Sequence, residues 1–215
     1  VTEFNTHKVV RSVIERDGAT LAHRETTDFV VWDDPDVHPT DVLEDADGSL
    51  LVIDTGGWFR IGCPTSQIAK PEIAGAIWRI RRNDAHQVDD PYGLAYADET
   101  DPRALAALLS DPRPAVREWA TDQLALSGQA SDVAADLSDL QLDAVARRQL
   151  AWALTRSGDS EDARALAGLL NDADESVILA ALTGLSRIAT ADTYEALAAL
   201  EPQSPAQRRA LADAW

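Results

Sequence analysis

The run Asp54-Thr55-Gly56-Gly57-Trp58 combines residue types that bind ligands. A carboxylate supplies charge, two glycines permit close approach to the main chain, and an indole offers a flat stacking surface. The run therefore reads as a pocket wall, with Asp54, Gly56, Gly57 and Trp58 as cofactor-binding candidates. It reads equally as a strand-ending bend that packs Trp58 on neighbouring structure, and the bend is favoured. Asp45-Ala46-Asp47-Gly48 starts like a calcium loop. It lacks a third ligand position and a downstream Glu at the required spacing, so an ordinary β-turn is expected. Asp33, Asp34 and Asp36 with His38 could hold a cation or simply form a solvated acidic loop; no metal site is assigned. The single cysteine, Cys63, excludes an internal disulfide and a multi-cysteine zinc site. With no His at a local catalytic spacing, it reads as a buried structural thiol. The sequence contains no CxxCH, Walker loop, GxGxxG, GxSxG or HExxH, so the segment itself attaches no haem covalently.

These residues need elements to hold them. The 215 residues are 45% hydrophobic, enough for a sizeable core in one large or two modest domains. No apolar run is long enough to span a bilayer, so no membrane insertion is expected. The first residues show no signal peptide, and a chain without Met that opens on Val-Thr-Glu reads as an excised segment. Net charge is −18, and residues 83–215 hold 10 basic and 23 acidic side chains, a net of −13. Such a surface repels nucleic acid and anionic lipid, and fits either a salty medium or a cationic partner.

The first 82 residues read as β structure. Lys8–Glu15 and Ala19–Glu25 flank Arg16-Asp17-Gly18 as a hairpin, and Phe29–Trp32 reads as a separate short strand. Thr40–Glu44 and Ser49–Asp54 flank a second turn, and Gly75–Ile80 closes the set. Residues 83–100 read as a linker. From 101 to 215 the chain reads as helical, with Asp101-Pro102 and Ser204-Pro205 as helix starts and Gly128 and Gly158 as stops. A repeat is visible here: Val116, Ala146, Val177 and Gln207 head similar strings, spaced by 30, 31 and 30 residues. Ala120 and Leu124, Leu150 and Leu154, Ala181 and Leu185, and Leu211 and Trp215 follow four and eight places later. Each string follows a shorter apolar helix, ending at Leu109, Leu140, Leu170 or Leu200. Helix pairs of this kind bury their apolar stripes against neighbouring pairs.

The helical pattern, VREWATDQLALSG (116–128) above all, resembles HEAT-type repeats. That resemblance implies a ladder in which Asp111 pairs with Arg117, interrupted at Ile178 in the third repeat. The fourth repeat has no capping helix, which implies that the array continues beyond Trp215. The stretch HPTDVLEDADGSLLVIDTGGW (38–58), with GCPTSQ, KP and GAIWRI after it, resembles the last blade of the propeller in PVC-type membrane-bound dehydrogenase or haem-binding CxxCH proteins, relatives of sorbosone and glucose dehydrogenases. The expected fold is therefore α+β: a partial β-propeller, comprising the last blade and part of the preceding one, then an α-α HEAT-like superhelix.

The resemblance further implies an exported or periplasmic oxidoreductase acting on a sugar or alcohol. Its whole chain would carry PQQ and c-type haem, the latter on a cytochrome c domain, and would supply the missing blades. His38 and Asp41 are the catalytic candidates it implies, placed where propeller loops converge on the central channel. His38 reads alternatively as a loop residue bonding local backbone before Pro39, and that reading is favoured. The helical repeats would then be a spacer or a docking module for a protein partner. The rival expectation is a non-catalytic binding scaffold, since propellers and helical arrays often bind without catalysing.

Overall fold

The computed structural model describes residues 1–57, 70, 72–188 and 190–215. They divide into two compact units, residues 1–17 with 21–89, and residues 90–215 with 18–20.

Asp-Gly turns and β-branched runs produce the strands of the first unit. β1 (Thr2–Glu3), β2 (Lys8–Asp17) and β3 (Thr20–Val31) form one sheet in that order, with Thr2 opposite Val9 and Glu3 opposite Lys8. The expected separate strand at Phe29–Trp32 is instead the far end of β3 up to Val31, because no turn residue interrupts the extended chain after Thr20. β4 (Pro39–Glu44), β5 (Leu50–Asp54) and β6 (Ala76–Ile80) form a second antiparallel sheet, with Val52 paired to both Val42 and Trp78. The hairpin between β4 and β5 closes as expected at Asp45–Gly48. There the Gly48 N–H donates to the Asp45 carbonyl at 2.9 Å, and the Asp47 carboxylate accepts from the Ser49 N–H at 2.9 Å. The apolar interior of this unit is small, built on Val9, Val10, Val37 and the fully buried Val52.

This arrangement overturns the partial propeller. A propeller blade is a four-stranded sheet; the described strands instead make two separate sheets of three strands each. Hairpin signals are local and came out correctly, whereas the number of strands in a sheet depends on non-local pairing that they do not encode.

The second unit is helical. α1 (Pro102–Leu108) and α2 (Pro114–Ser127) are followed by α3 (Ala130–Ala135), α4 (Leu137–Leu140), α5 (Ala144–Ser157) and α6 (Ser160–Gly168). α7 (Glu175–Ile188), α8 (Tyr194–Ala199) and α9 (Pro205–Ala214) complete it. The Asp101 carboxylate accepts from the Arg103 N–H at 2.8 Å, and Ser204 Oγ accepts from the Gln207 N–H at 3.1 Å, so both expected starts are capped. Gly128 and Gly158 end α2 and α5 in the left-handed region, at φ 70° and 81°. α2, α5, α7 and α9 pack side by side in chain order. Val116, Ala120, Leu124, Ala146, Leu150, Leu154, Val177, Ala181 and Leu185, all at the repeating positions, are completely buried. Truncating any of these leucines to alanine would cost about 2–5 kcal/mol.

The regular HEAT-like superhelix is also corrected. Only the second helix of each unit is long, whereas the preceding elements differ: a single short helix (α1), a pair broken at Asp136 (α3 and α4), α6 running into a 3-10 turn at Leu169–Asn171, and the six-residue α8. The Asp111–Arg117 rung does not form either. Arg113 takes the Asp111 carboxylate with two bonds of 2.9 and 2.8 Å, leaving Arg117 Nη1 to donate to the Asp111 main-chain carbonyl at 2.6 Å. Successive repeats are linked instead by Arg147 with Asp172, bidentate at 2.6 and 2.9 Å, and by Arg156 with Glu118 and Asp122 at 2.6 and 2.8 Å. Among the described residues no helix is long and apolar enough to cross a membrane.

Candidate functional site

Of the residues expected to do chemistry, the fold gathers His38, Asp54 and Gly56 into one knot at the ends of β4 and β5. Asp54 is 6% exposed. Its Oδ1 accepts from the main-chain N–H groups of His38 and Gly56, each at 2.8 Å, and its Oδ2 accepts from Trp78 Nε1 at 3.1 Å. The carboxylate thus fastens three chain segments. His38 Nδ1 lies 3.0 Å from the Asp36 carbonyl and 2.9 Å from the Gly56 carbonyl. Carbonyl oxygens only accept, so Nδ1 carries the proton. His7 Nδ1 likewise donates to the Val37 carbonyl at 2.7 Å, and the His7 and Phe4 rings pack on the His38 ring, 5.3 and 4.6 Å between centroids. His38 thus lies in the loop before β4 with Nδ1 donating to main-chain carbonyls.

Gly56 sits at φ 61°, and a Cβ there would lie 2.7 Å from the Ala74 carbonyl group, so the glycine is required by close chain approach. Gly57 exchanges main-chain bonds with its neighbours: its N–H donates to the Ile73 carbonyl at 3.2 Å, and its carbonyl accepts from the Lys70 N–H at 2.8 Å. Asp41 stands apart, exposed, with its carboxylate accepting from the Val42 N–H at 2.8 Å. The expectations for Trp58 and Cys63 lie outside the described residues. Asp47 is locked by Ser49 and by Arg81 at 2.9 Å; these bonds hold its carboxyl well below the usual carboxylate range. Asp36 pairs with Lys70. Among the described residues no group of three or more His, Cys, Asp or Glu could hold a metal ion.

A site that sequence reasoning missed lies in the helical unit. A cavity of about 310 Å³ opens between the turn after α6, the first turn of α7, α8 and the start of α9. Its apolar lining includes Leu170, Ile178, Ala196 and Leu200. Asp172, Glu201 and Gln207 supply polar groups. Both Asp172 oxygens are taken, by Arg147 and by the Asp174 N–H at 2.8 Å. Burial pushes the Asp172 carboxyl up, but Arg147 and the Asp174 amide outweigh it and hold the group ionised. Glu201 is exposed, and its carboxylate has no partner among the described residues.

Gln207 is the unusual member, being only 4% exposed. Its Oε1 accepts from the Gln203 main-chain N–H at 2.6 Å. That N–H can only donate, so the orientation of the amide is settled and its NH2 is directed away from Gln203. Nε2 has no hydrogen-bond partner among the described residues and is not shut off from solvent. The loop bearing this wall is tethered by Ser204 Oγ donating to Glu175 Oε1. The sequence signal was present: Gln207 occupies the register of Val116, Ala146 and Val177, and is the one polar residue among the four.

The cavity is at the small end of ligand pockets, which span about 300–1,000 Å³. Its chemistry is that of binding: an apolar floor, one unmet donor and a carboxylate at the rim. No known protein family, curated protein or solved structure matches this chain.

Proposed function

We propose that this chain is a protein-binding scaffold whose helical unit receives the partner. The observation that carries the reading is Gln207, which lines the cavity with a side-chain NH2 that bonds no described residue, at a position where the other three repeats place Val or Ala. A polar residue in a register otherwise held by apolar ones is a local departure of the kind that concentrates at functional sites. The charge of residues 90–215, with 10 basic and 21 acidic side chains and hence a net of −11, favours a cationic partner. The sugar or alcohol dehydrogenase implied by family resemblance draws no support from the sheet unit, where His38 Nδ1 and Asp54 Oδ1 are taken by main-chain groups and Asp54 Oδ2 by the Trp78 indole.

A peptide selection against the immobilised chain, followed by nitrogen-15 chemical-shift mapping of the selected peptides, tests the proposal. Shifts within the helical unit are expected. Peptides that map only to residues 21–57, or reduction of an electron-accepting dye with aldose or alcohol substrates, would sink it.

A further inference from the structure

The cavity also defines what kind of segment it takes. Three features lie on one wall system: the apolar patch of Leu170, Ile178, Ala196 and Leu200, the Gln207 NH2, and the unpaired Glu201 carboxylate. The Gln207 NH2 bonds no described residue and is open to solvent, so it can donate to an acceptor oxygen, and a main-chain carbonyl next to an apolar side chain supplies one. The carboxylate calls for a cation, as does the surface of residues 90–215 as a whole, with its net charge of −11. A nucleic acid would be repelled by that same surface.

We infer that the cavity binds a basic peptide segment by one apolar anchor. The anchor side chain enters the patch, its carbonyl oxygen accepts from Gln207 Nε2, and an adjoining Lys or Arg pairs with Glu201. The inference rests on the binding reading above and deepens it. A free neutral amphiphile would satisfy the patch and the amide but not Glu201.

The test titrates the nitrogen-15-labelled full chain with acetyl-Lys-Leu-Lys-amide. The controls are acetyl-Lys-Gly-Lys-amide, which lacks the anchor, and acetyl-leucine-amide, which lacks the charge. Shifts are expected in residues 170–178 and 196–207, with the leucine-centred basic peptide binding tightest. Gln207→Met, which keeps side-chain length and removes the donor, should weaken binding about fivefold. Glu201→Gln, an exposed change that leaves folding intact, should weaken it about threefold and flatten its salt dependence. Thermal melts confirm that both variants fold. Unchanged affinity in both variants, or equal binding of the neutral control, would overturn the inference. Shifts elsewhere in the helical unit would overturn the cavity while leaving the scaffold reading standing; failure of all three probes to bind would overturn the peptide assignment, with the selection experiment deciding the scaffold reading on its own.

Discussion

Asp54→Ala is the sharpest perturbation of the sheet unit, because one carboxylate serves three donors there. Two of them, the His38 and Gly56 main-chain N–H groups, are buried and lose their acceptor when Oδ1 is gone. Each stranded donor costs about 1–3 kcal/mol, so the pair should cost about 2–6 kcal/mol. The third, Trp78 Nε1, belongs to a side chain that is 41% exposed and can turn to water at little cost. Asp54→Asn separates these effects. Its oxygen still serves His38 and Gly56, while its NH2 meets the Trp78 N–H, so the loss should fall to about 1–2 kcal/mol. Urea denaturation gives the global loss, but two compact units need not unfold together. Amide hydrogen exchange at His38 and Gly56 reads the knot directly, and both should lose protection in the alanine variant. If Asp54→Ala unfolds within about 0.5 kcal/mol of the wild type with exchange unchanged, the carboxylate is not structural. Its standing as a ligand-binding candidate would then be restored.

Burial pushes the Asp162 carboxyl up, so the folded chain favours its protonated form. Its contribution to stability is full below the unfolded value near 3.8 and is lost as pH rises through the folded value. Asp162→Asn, permanently neutral and still able to accept from the Asp159 N–H, should be more stable than wild type in urea at pH 7 and closely matched at pH 3. Raising NaCl from about 0.1 to 1 M shortens the screening length from about 10 to 3 Å. With net charge −18 the folded chain repels itself, so the melting temperature should rise, and a fall measured by calorimetry would contradict that self-repulsion. Gly128→Ala places a Cβ where nothing lies within 4 Å, at φ 70°, so the cost is conformational alone, about 1 kcal/mol by urea denaturation.

Helix ends and buried registers were legible because both are written locally. Asp101-Pro102, Ser204-Pro205 and the two terminating glycines each act within one helical turn, and the spacing of 30, 31 and 30 residues picked out side chains that are in fact completely buried, as at Val116, Ala146 and Val177. Sheet membership was not legible, since hairpin signals say which strands are joined but not how many gather. Asp111 shows the same limit at the scale of one side chain: Arg113 and Arg117 compete for it, and the arginine two residues away wins with a bidentate geometry that spacing alone does not rank. The two candidate sites differ for a related reason. His38 was singled out by likeness to other proteins and Asp54 by the residue types around it, with no equivalent position inside this chain to show what the backbone itself demanded of either. Gln207 has three such equivalents. Because repeated positions share one environment, a polar residue among Val, Ala and Val is a departure measured against the chain's own standard, and that departure falls on the wall of the cavity.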